Sequence, residues 1–165
     1  MRDRGCNFAT VTQQAKIITV SSSTFAGTRH DGSGAALADL LEARGFTVVE
    51  RLVVPDGIGP VAAGIVALAE RFAGLVVTTG GTGFSPSDLT PEATRSVIER
   101  EAPGLAEAAR AASPLGRLSR GVAGTIGPCL VLNVPGSLRG AVESLEAVMD
   151  VLPHALELLA GEQPH

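Results

Sequence analysis

The segment GLVVTTGG, from Gly74 to Gly81, constrains the fold more than any other part of the chain. Its residues are apolar without interruption until it ends in threonine and glycine, whereas a half-buried strand alternates apolar and polar positions. Parallel strands that are covered on both faces have this continuous pattern. We therefore expect a central strand of an α/β sheet here, with helices on both sides of it.

Segments typical of strands and of helices alternate along the rest of the chain, which predicts a three-layer α/β/α fold with a mostly parallel central sheet. Further strands are expected at 16–20, at 46–55 and, as a hairpin-like pair around Gly127-Pro128, within 121–135. Helices are expected at 35–45, from 57 to about Phe72, from Thr90 to about Arg100, at 103–110, and in a C-terminal tail interrupted by Pro153. In such sheets, ligands bind where strands end and helices begin.

The length and composition limit the class of protein. The 165 residues fit one domain, predicted to span 16–165 after a flexible N-terminal arm at 1–15. A formal net charge of −4 gives no basic surface, so we expect no nucleic-acid partner. No apolar run is long enough to cross a bilayer, and the two cysteines indicate neither a disulfide framework nor a zinc site. We expect a soluble, cytoplasmic protein.

The glycines at 80, 81 and 83 follow the central strand. Glycine lets the backbone approach a ligand closely, and several N–H groups can then converge on one anion. Thr90 could cap the next helix, with Pro91 in its first position. The loop matches neither a Walker A motif nor GxGxxG, and from its glycines alone a phosphate cradle and a simple turn are equally good interpretations.

Two acids follow strand ends at this edge of the sheet. Asp88 lies in the glycine loop, and Asp56 follows the second strand in VVPDG. Each could be a structural residue, since Pro-Asp-Gly is a common turn and a loop carboxylate is often solvated. Together they could instead hold one Mg²⁺ against bound phosphates, because Mg²⁺ takes one or two carboxylates plus phosphate oxygens.

Other loops at the same edge offer polar groups. After the first strand, Ser21 offers a hydroxyl and Asp31 or Ser33 could cap the following helix. Ser119 and Arg120, in LSRG, could bind a phosphate or be plain surface residues. The turn NVPGS, from Asn133 to Ser137, could be another wall of a site or purely structural, with Ser137 as a helix cap.

The segment TTGGTGFSPSDLTPEAT, followed by IEREAPGL, resembles the molybdopterin adenylyltransferases, the MogA/MoaB-like proteins whose fold gephyrin also contains. ITVSSS…DGSG, VVPDG, LSRGVAG, LVLNVPGS and VLPHALELLAG agree with the family in order. The resemblance extends from Ile17 to Gly161. It implies the three-layer fold of that family and an assembly that is usually a homotrimer and sometimes a hexamer.

The resemblance implies transfer of AMP from Mg-ATP to the terminal phosphate of molybdopterin, with release of pyrophosphate. Asp56 and Asp88 match the catalytic carboxylates and would hold Mg²⁺. The product would be handed to a molybdenum-insertion protein. The candidate substrate- and nucleotide-binding residues are Ser21, Asp31, Ser33, Gly34, Gly80, Gly81, Thr82, Gly83, Thr90, Pro91, Glu92, Ser119, Asn133, Pro135, Gly136 and Ser137.

Three departures from the family pattern stand out. Ser22 replaces an aspartate after the first strand, Leu138 replaces the second proline of NxPGxP, and the segment between Gly104 and Leu118 is shorter than usual. The missing acid motivates an alternative, a non-catalytic molybdopterin-binding paralogue or scaffold of the same fold. A nucleotide hydrolase related to the competence-damage-inducible family is a third candidate, which the TPEAT run and Thr82 disfavour.

Overall fold

The computed structural model describes residues 13–162. Residues 1–12, which make up most of the predicted N-terminal arm, lie outside that range. The first strand, β1, begins at Gln14, two residues before the predicted start. Gln14 and Ala15 thus belong to the sheet, and Ala15 is fully buried.

Strands and helices alternate over most of the described chain. The strands are β1 Gln14–Val20, β2 Thr47–Val54, β3 Leu75–Thr79, β4 Arg100–Glu101, β5 Ala123–Ile126 and β6 Cys129–Val134. The helices are α1 Ser22–Phe25, α2 Gly32–Ala43, α3 Ile58–Ala69, α4 Thr90–Arg95, α5 Pro103–Ala111, α6 Leu138–Glu146 and α7 Leu152–Leu159, with a short 3₁₀ helix at Pro114–Leu118.

The six strands form one mixed sheet in the order β2-β1-β3-β6-β5-β4. The pairs β1–β2, β1–β3 and β3–β6 are parallel, while β5 pairs antiparallel with β6 and with β4. The predicted β3 is central and buried at every position. This confirms the predicted α/β/α class, and the hairpin around Gly127 together with β4 supplies the antiparallel part.

Helices cover both faces of the sheet over two separate apolar clusters. One cluster joins the sheet to α2, α5, α6 and α7 and includes Leu37, Leu132 and Leu145. The other joins it to α3 and α4 and includes Ile18 and Ile65. Few aromatic residues are available, so aliphatic side chains fill both layers, and the sheet is held rigidly enough to position the loops at its edge.

The helix after the glycine loop is shorter than predicted. It ends at Arg95, not near Arg100, because Val97 and Ile98 pack on the α3 side of the core. The Glu99 amide then donates to the Thr125 carbonyl at 2.8 Å, and β4 follows at the edge of the sheet. In the C-terminal tail, Pro153 lies in the first turn of α7, so the helical break precedes it.

Within residues 13–162, none of the helices combines the length and the apolarity that crossing a membrane requires. Cys129 is a free thiol in the core, and burial raises its pKa to about 12. Cys6 lies outside the described residues.

Candidate active site

A cavity of about 650 Å³ opens where β3 and β6 end. That volume falls within the range of pockets that bind small molecules. It lies at the carboxyl ends of parallel strands, as the alternation of strands and helices predicts. Its lining consists of Gly81, Thr82, Gly83, Asp88, Ser113, Pro114, Leu115, Gly116, Leu118, Ser119, Pro135, Gly136, Ser137, Arg139, Gly140, Glu143 and Ser144.

The glycine loop forms the polar wall of this cavity. Gly80 and Gly81 have φ angles of +104° and +67°, which L side chains rarely adopt. A Cβ atom on Gly81 would lie 2.3 Å from the Thr90 hydroxyl oxygen. That hydroxyl donates to the Gly80 carbonyl at 2.9 Å, and the Thr90 amide donates to the Gly81 carbonyl at 3.0 Å. Thr90 is therefore not the helix cap that we predicted but a buried clamp on the loop, with Leu89 in the cap position.

Four consecutive amides in the loop, those of Gly81, Thr82, Gly83 and Phe84, donate no hydrogen bond to any described residue. Buried or half-buried N–H groups usually have a partner, so a run of free donors beside a cavity is an arrangement suited to an anion. The residues at 81–83 line the cavity directly. This geometry favours the cradle over the plain turn.

Asp88 reaches the same cavity from the end of the loop. Its Oδ2 accepts from the Ser85 amide at 3.0 Å, and its Oδ1 accepts no hydrogen bond among the described residues. Asp56 lies outside this lining, at the end of the edge strand β2, with β1 between β2 and β3. The Oδ2 of Asp56 accepts from the Ser22 amide at 3.1 Å and from the Ser22 hydroxyl at 2.9 Å.

Asp56 and Asp88 each carry a carboxylate oxygen of the kind that Mg²⁺ takes as a ligand, although only Asp88 lines the cavity. Each keeps its Oδ1 free of partners within the described residues. Residues 13–162 contain no group of three or more His, Cys, Asp or Glu side chains able to hold a metal without help. A hard cation held by one or two carboxylates and completed by substrate oxygens and water fits this donor set.

The opposite wall of the cavity is apolar. It is built by the 3₁₀ helix, whose Leu115 and Leu118 are 76% and 53% exposed. Gly116 packs so closely on α5 that a Cβ atom there would lie 1.8 Å from the Arg110 carbonyl oxygen. Leucines held in the open beside a polar loop offer a contact for the flat or apolar part of a ligand. No sequence motif predicts this wall, because SPLGRL shows nothing distinctive beyond its two leucines.

Charges at the cavity are few. Of the lining residues only Asp88, Glu143 and Arg139 carry acidic or basic side chains. Arg139 pairs with Glu143 at 2.7 Å one helical turn along α6, and this hydrogen bond raises the pKa of the Arg139 guanidinium. A ligand phosphate would therefore depend on backbone donors and on a bound cation more than on arginines.

Arg120 contacts the glycine loop through the backbone carbonyls of the loop. Its side chain reaches the carbonyls of Gly83 and Asp88 and forms an ion pair with Glu92. Arg120 is absent from the cavity lining, and its side-chain nitrogens face the loop carbonyls and Glu92 instead. The hydrogen bond from Arg120 lowers the pKa of the Glu92 carboxyl.

Several predicted binding residues lie beside the cavity rather than in its lining. Asn133 is buried, and its amide bonds the Thr78 and Thr94 hydroxyls at 2.9 and 3.0 Å. Asp31 caps α2 by accepting from the Gly34 amide. The hydrogen bonds of these two side chains thus join or cap secondary-structure elements. The predicted residues in the lining are Gly81, Thr82, Gly83, Asp88, Ser119, Pro135, Gly136 and Ser137, whereas Ser21, Asp31, Ser33, Gly34, Asp56, Gly80, Thr90, Pro91, Glu92 and Asn133 are outside it.

Fold and site together define an α/β domain with a glycine loop of unpaired amides and a carboxylate at the carboxyl edge of its sheet. A family model described as a probable molybdopterin-binding domain of molybdenum cofactor biosynthesis matches residues 16–154. The chain therefore belongs to this family, as its resemblance to the MogA/MoaB-like proteins indicated.

Individual relatives are named for the same biosynthesis. The chain is 32% identical to a molybdopterin adenylyltransferase from Helicobacter pylori, over 88% of this chain and 86% of the relative. It is 34% identical to the molybdenum cofactor synthesis protein cinnamon from Drosophila melanogaster, over 88% of this chain but only 25% of that longer protein. The crystal structure of the molybdopterin biosynthesis enzyme MoaB from Thermus thermophilus matches with a TM-score of 0.86 and 45% identity, over 91% of this chain and 98% of that one.

Proposed function

We propose that this protein transfers AMP from Mg-ATP to the terminal phosphate of molybdopterin, giving adenylylated molybdopterin and pyrophosphate. The observation that carries the proposal is the presence, in one cavity, of the free amides at 81–83 and of the Asp88 carboxylate, whose Oδ1 accepts no hydrogen bond within the described residues. The name of the Helicobacter pylori relative supports the same reaction.

The reaction needs positioning more than it needs a base. A phosphate oxygen of molybdopterin attacks the α-phosphorus of ATP, a new P–O bond forms, and the bond to the β-phosphate oxygen breaks as pyrophosphate leaves. The nucleophile is already an anion, so no proton has to be removed first. Catalysis of such transfers rests on alignment and on stabilising the charge of the phosphate oxygens.

Residues of the chain meet both needs. The amides of Gly81, Thr82 and Gly83 can donate to phosphate oxygens, and the apolar wall of Leu115 and Leu118 can hold the pterin or adenine ring. Asp88, with Asp56 as a second candidate, would hold the cation. Bound Mg²⁺ would stabilise negative charge on the transferred phosphate and on the leaving pyrophosphate.

Ser22 lies where the family resemblance leads one to expect an aspartate, and it contacts Asp56 directly. At the position where an acid was expected, its amide and hydroxyl both donate to Oδ2 of Asp56, and the Asp56 amide donates back to the Ser22 hydroxyl at 3.1 Å. The serine therefore fixes the orientation of the Asp56 carboxylate. A second acid at this place would repel it instead.

The alternative is a non-catalytic molybdopterin-binding protein of the same fold, motivated by that missing acid. Purified protein incubated with molybdopterin, ATP and Mg²⁺ separates the two. The adenylyltransferase predicts one pyrophosphate per adenylylated pterin, measured by chromatography and mass spectrometry. Tight molybdopterin binding in calorimetry without any pyrophosphate would instead support the binding protein.

The assembly, the compartment and the next step in the sequence of reactions are proposals as well. We expect a homotrimer, with a hexamer as the alternative, working in the cytoplasm and passing its product to a molybdenum-insertion protein. Sedimentation equilibrium measures the first of these directly, and a monomer at micromolar concentration would overturn it.

A further inference from the structure

Arg120 bonds the segment that contains the glycine loop and Asp88 at several points. Its backbone amide donates to the Thr82 carbonyl at 2.7 Å. Its Nε donates to the Gly83 carbonyl at 2.8 Å, and one terminal nitrogen donates to the Asp88 carbonyl at 2.6 Å. The guanidinium also pairs with the Glu92 carboxylate. One residue thus joins four points of the segment 82–92.

These bonds determine where the loop amides point. A trans peptide is planar, so the N–H that follows a carbonyl points to the opposite side. The Thr82 and Gly83 carbonyls point at Arg120. The N–H groups of Gly83 and Phe84 therefore point away from Arg120, and both are free of partners within the described residues.

We propose that Arg120 is a positioning residue for the adenylyl transfer: it holds the glycine loop and Asp88 at a fixed separation, with the loop amides turned outward to receive phosphate. This inference rests on the proposed function. Arg120 itself contacts no ligand, because its side-chain donors are used on Gly83, Asp88 and Glu92 and it does not line the cavity.

The geometry requires arginine rather than another cation. The three acceptors lie in different directions around a planar guanidinium, which presents five N–H donors in a fixed fork. A lysine ammonium at this place would keep the charge, but its three donors share one nitrogen. It therefore cannot reach acceptors that three separate guanidinium nitrogens now contact. The Glu92 carboxylate on α4 accepts a hydrogen bond from the Arg120 guanidinium. This hydrogen bond also raises the pKa of the guanidinium.

Steady-state kinetics of Arg120→Gln and Arg120→Lys test the inference. We expect kcat to fall by about 100-fold in both variants, as misplacement of reacting groups does, while the KM values for ATP and molybdopterin stay within about threefold of wild type because Arg120 does not contact either. Millimolar guanidinium should restore part of the kcat of Arg120→Ala. Arg95→Gln, which removes a neighbouring charge on α4, is the matched control and should leave kcat unchanged.

A large rise in KM with kcat preserved would show direct binding by Arg120 and would overturn the positioning role. Equal kcat values for wild type and Arg120→Lys would overturn it too.

Hydrogen exchange tests the same inference without turnover. The amides of Ser85, Asp88 and Thr90 are bonded inside the loop. We expect them to exchange at least about tenfold faster in Arg120→Gln, with the amides of β3 and β6 unchanged. Unchanged exchange at Ser85 and Asp88 would overturn the inference. If wild-type protein transfers no AMP, the proposed function fails, and the exchange data still decide whether Arg120 holds the loop.

Discussion

The two walls of the cavity are built in different ways. The polar wall, residues 80–92, is tied by long-range bonds to Arg120 and by the Thr90 clamp. The apolar wall, residues 113–119, has hydrogen bonds mainly within itself, from the Gly116 amide to Ser113 and from the Arg117 side chain to Pro114. A wall that is hydrogen-bonded to distant segments of the chain can hold reacting phosphates in one geometry. The apolar wall is anchored by the packing of Gly116 on α5 and offers exposed leucine side chains to a ring, which gives the two walls different roles.

Asp88→Asn should have the largest effect on turnover, because it removes the negative charge of the polar wall while the asparagine side chain keeps the shape of the aspartate. We expect kcat to fall by about 10³-fold, since loss of a charge-stabilising group at a metal costs several kcal/mol of transition-state stabilisation. Molybdopterin binding in calorimetry should be retained. Asp39→Asn, an exposed acid on α2, is the control. Wild-type turnover in Asp88→Asn would remove Asp88 from the mechanism.

Gly81→Ala tests whether the polar wall is as rigid as its contacts indicate. The positive φ and the contact with Thr90 together predict a loss of about 3 kcal/mol of unfolding free energy. Gly27→Ala has a similar φ of +79° but open space around the added Cβ, so it should lose about 1 kcal/mol. Denaturant titration measures both. Equal losses would mean that the loop yields to the added methyl group, contrary to the rigid wall.

Leu115→Ala and Leu118→Ala test the apolar wall. Both side chains are largely exposed, so thermal stability should barely change. If each is buried by the ligand ring, KM should rise by about tenfold with kcat nearly constant, which corresponds to about 1.4 kcal/mol of lost apolar contact. Leu158→Ala, a leucine that is 52% exposed on α7, serves as the control. Unaltered KM values in both cavity variants would leave this wall without a role.

Glu92→Gln should have the smallest effect of these variants, a loss of folding stability that depends on pH. The folded pKa of Glu92 lies below its ordinary value of 4.5, so the pair with Arg120 stabilises the fold above pH 4.5 and loses this contribution as the pH falls through the folded pKa. Because the pair is partly exposed, we expect at most about 1 kcal/mol at neutral pH. Thermal melts of wild type and variant should converge in acid. A gap that widens in acid would contradict this reading.

The polar wall could largely be predicted from the sequence, and the apolar wall could not. Glycines, Asp88 and the cap Ser137 carry local backbone signals, and continuous apolar runs identify the central strands. The side-chain direction of Arg120 and the inward turn of Asn133 depend on the packing of distant segments, which no local pattern encodes. The 3₁₀ helix and the two-residue β4 are too short for periodicity to reveal. The end of α4 depends on the packing of Val97 and Ile98 against the core cluster that includes α3.

The central claim is that the protein joins the α-phosphate of ATP to molybdopterin, and the fate of the α-phosphorus tests it most directly. Two parallel reactions with molybdopterin and Mg²⁺ would contain ATP labelled with ³²P at either the α or the γ position. In the proposed reaction the α label moves to the pterin and the γ label leaves as pyrophosphate. Release of the γ label as free phosphate, or absence of any label on the pterin while ATP remains intact, would contradict it.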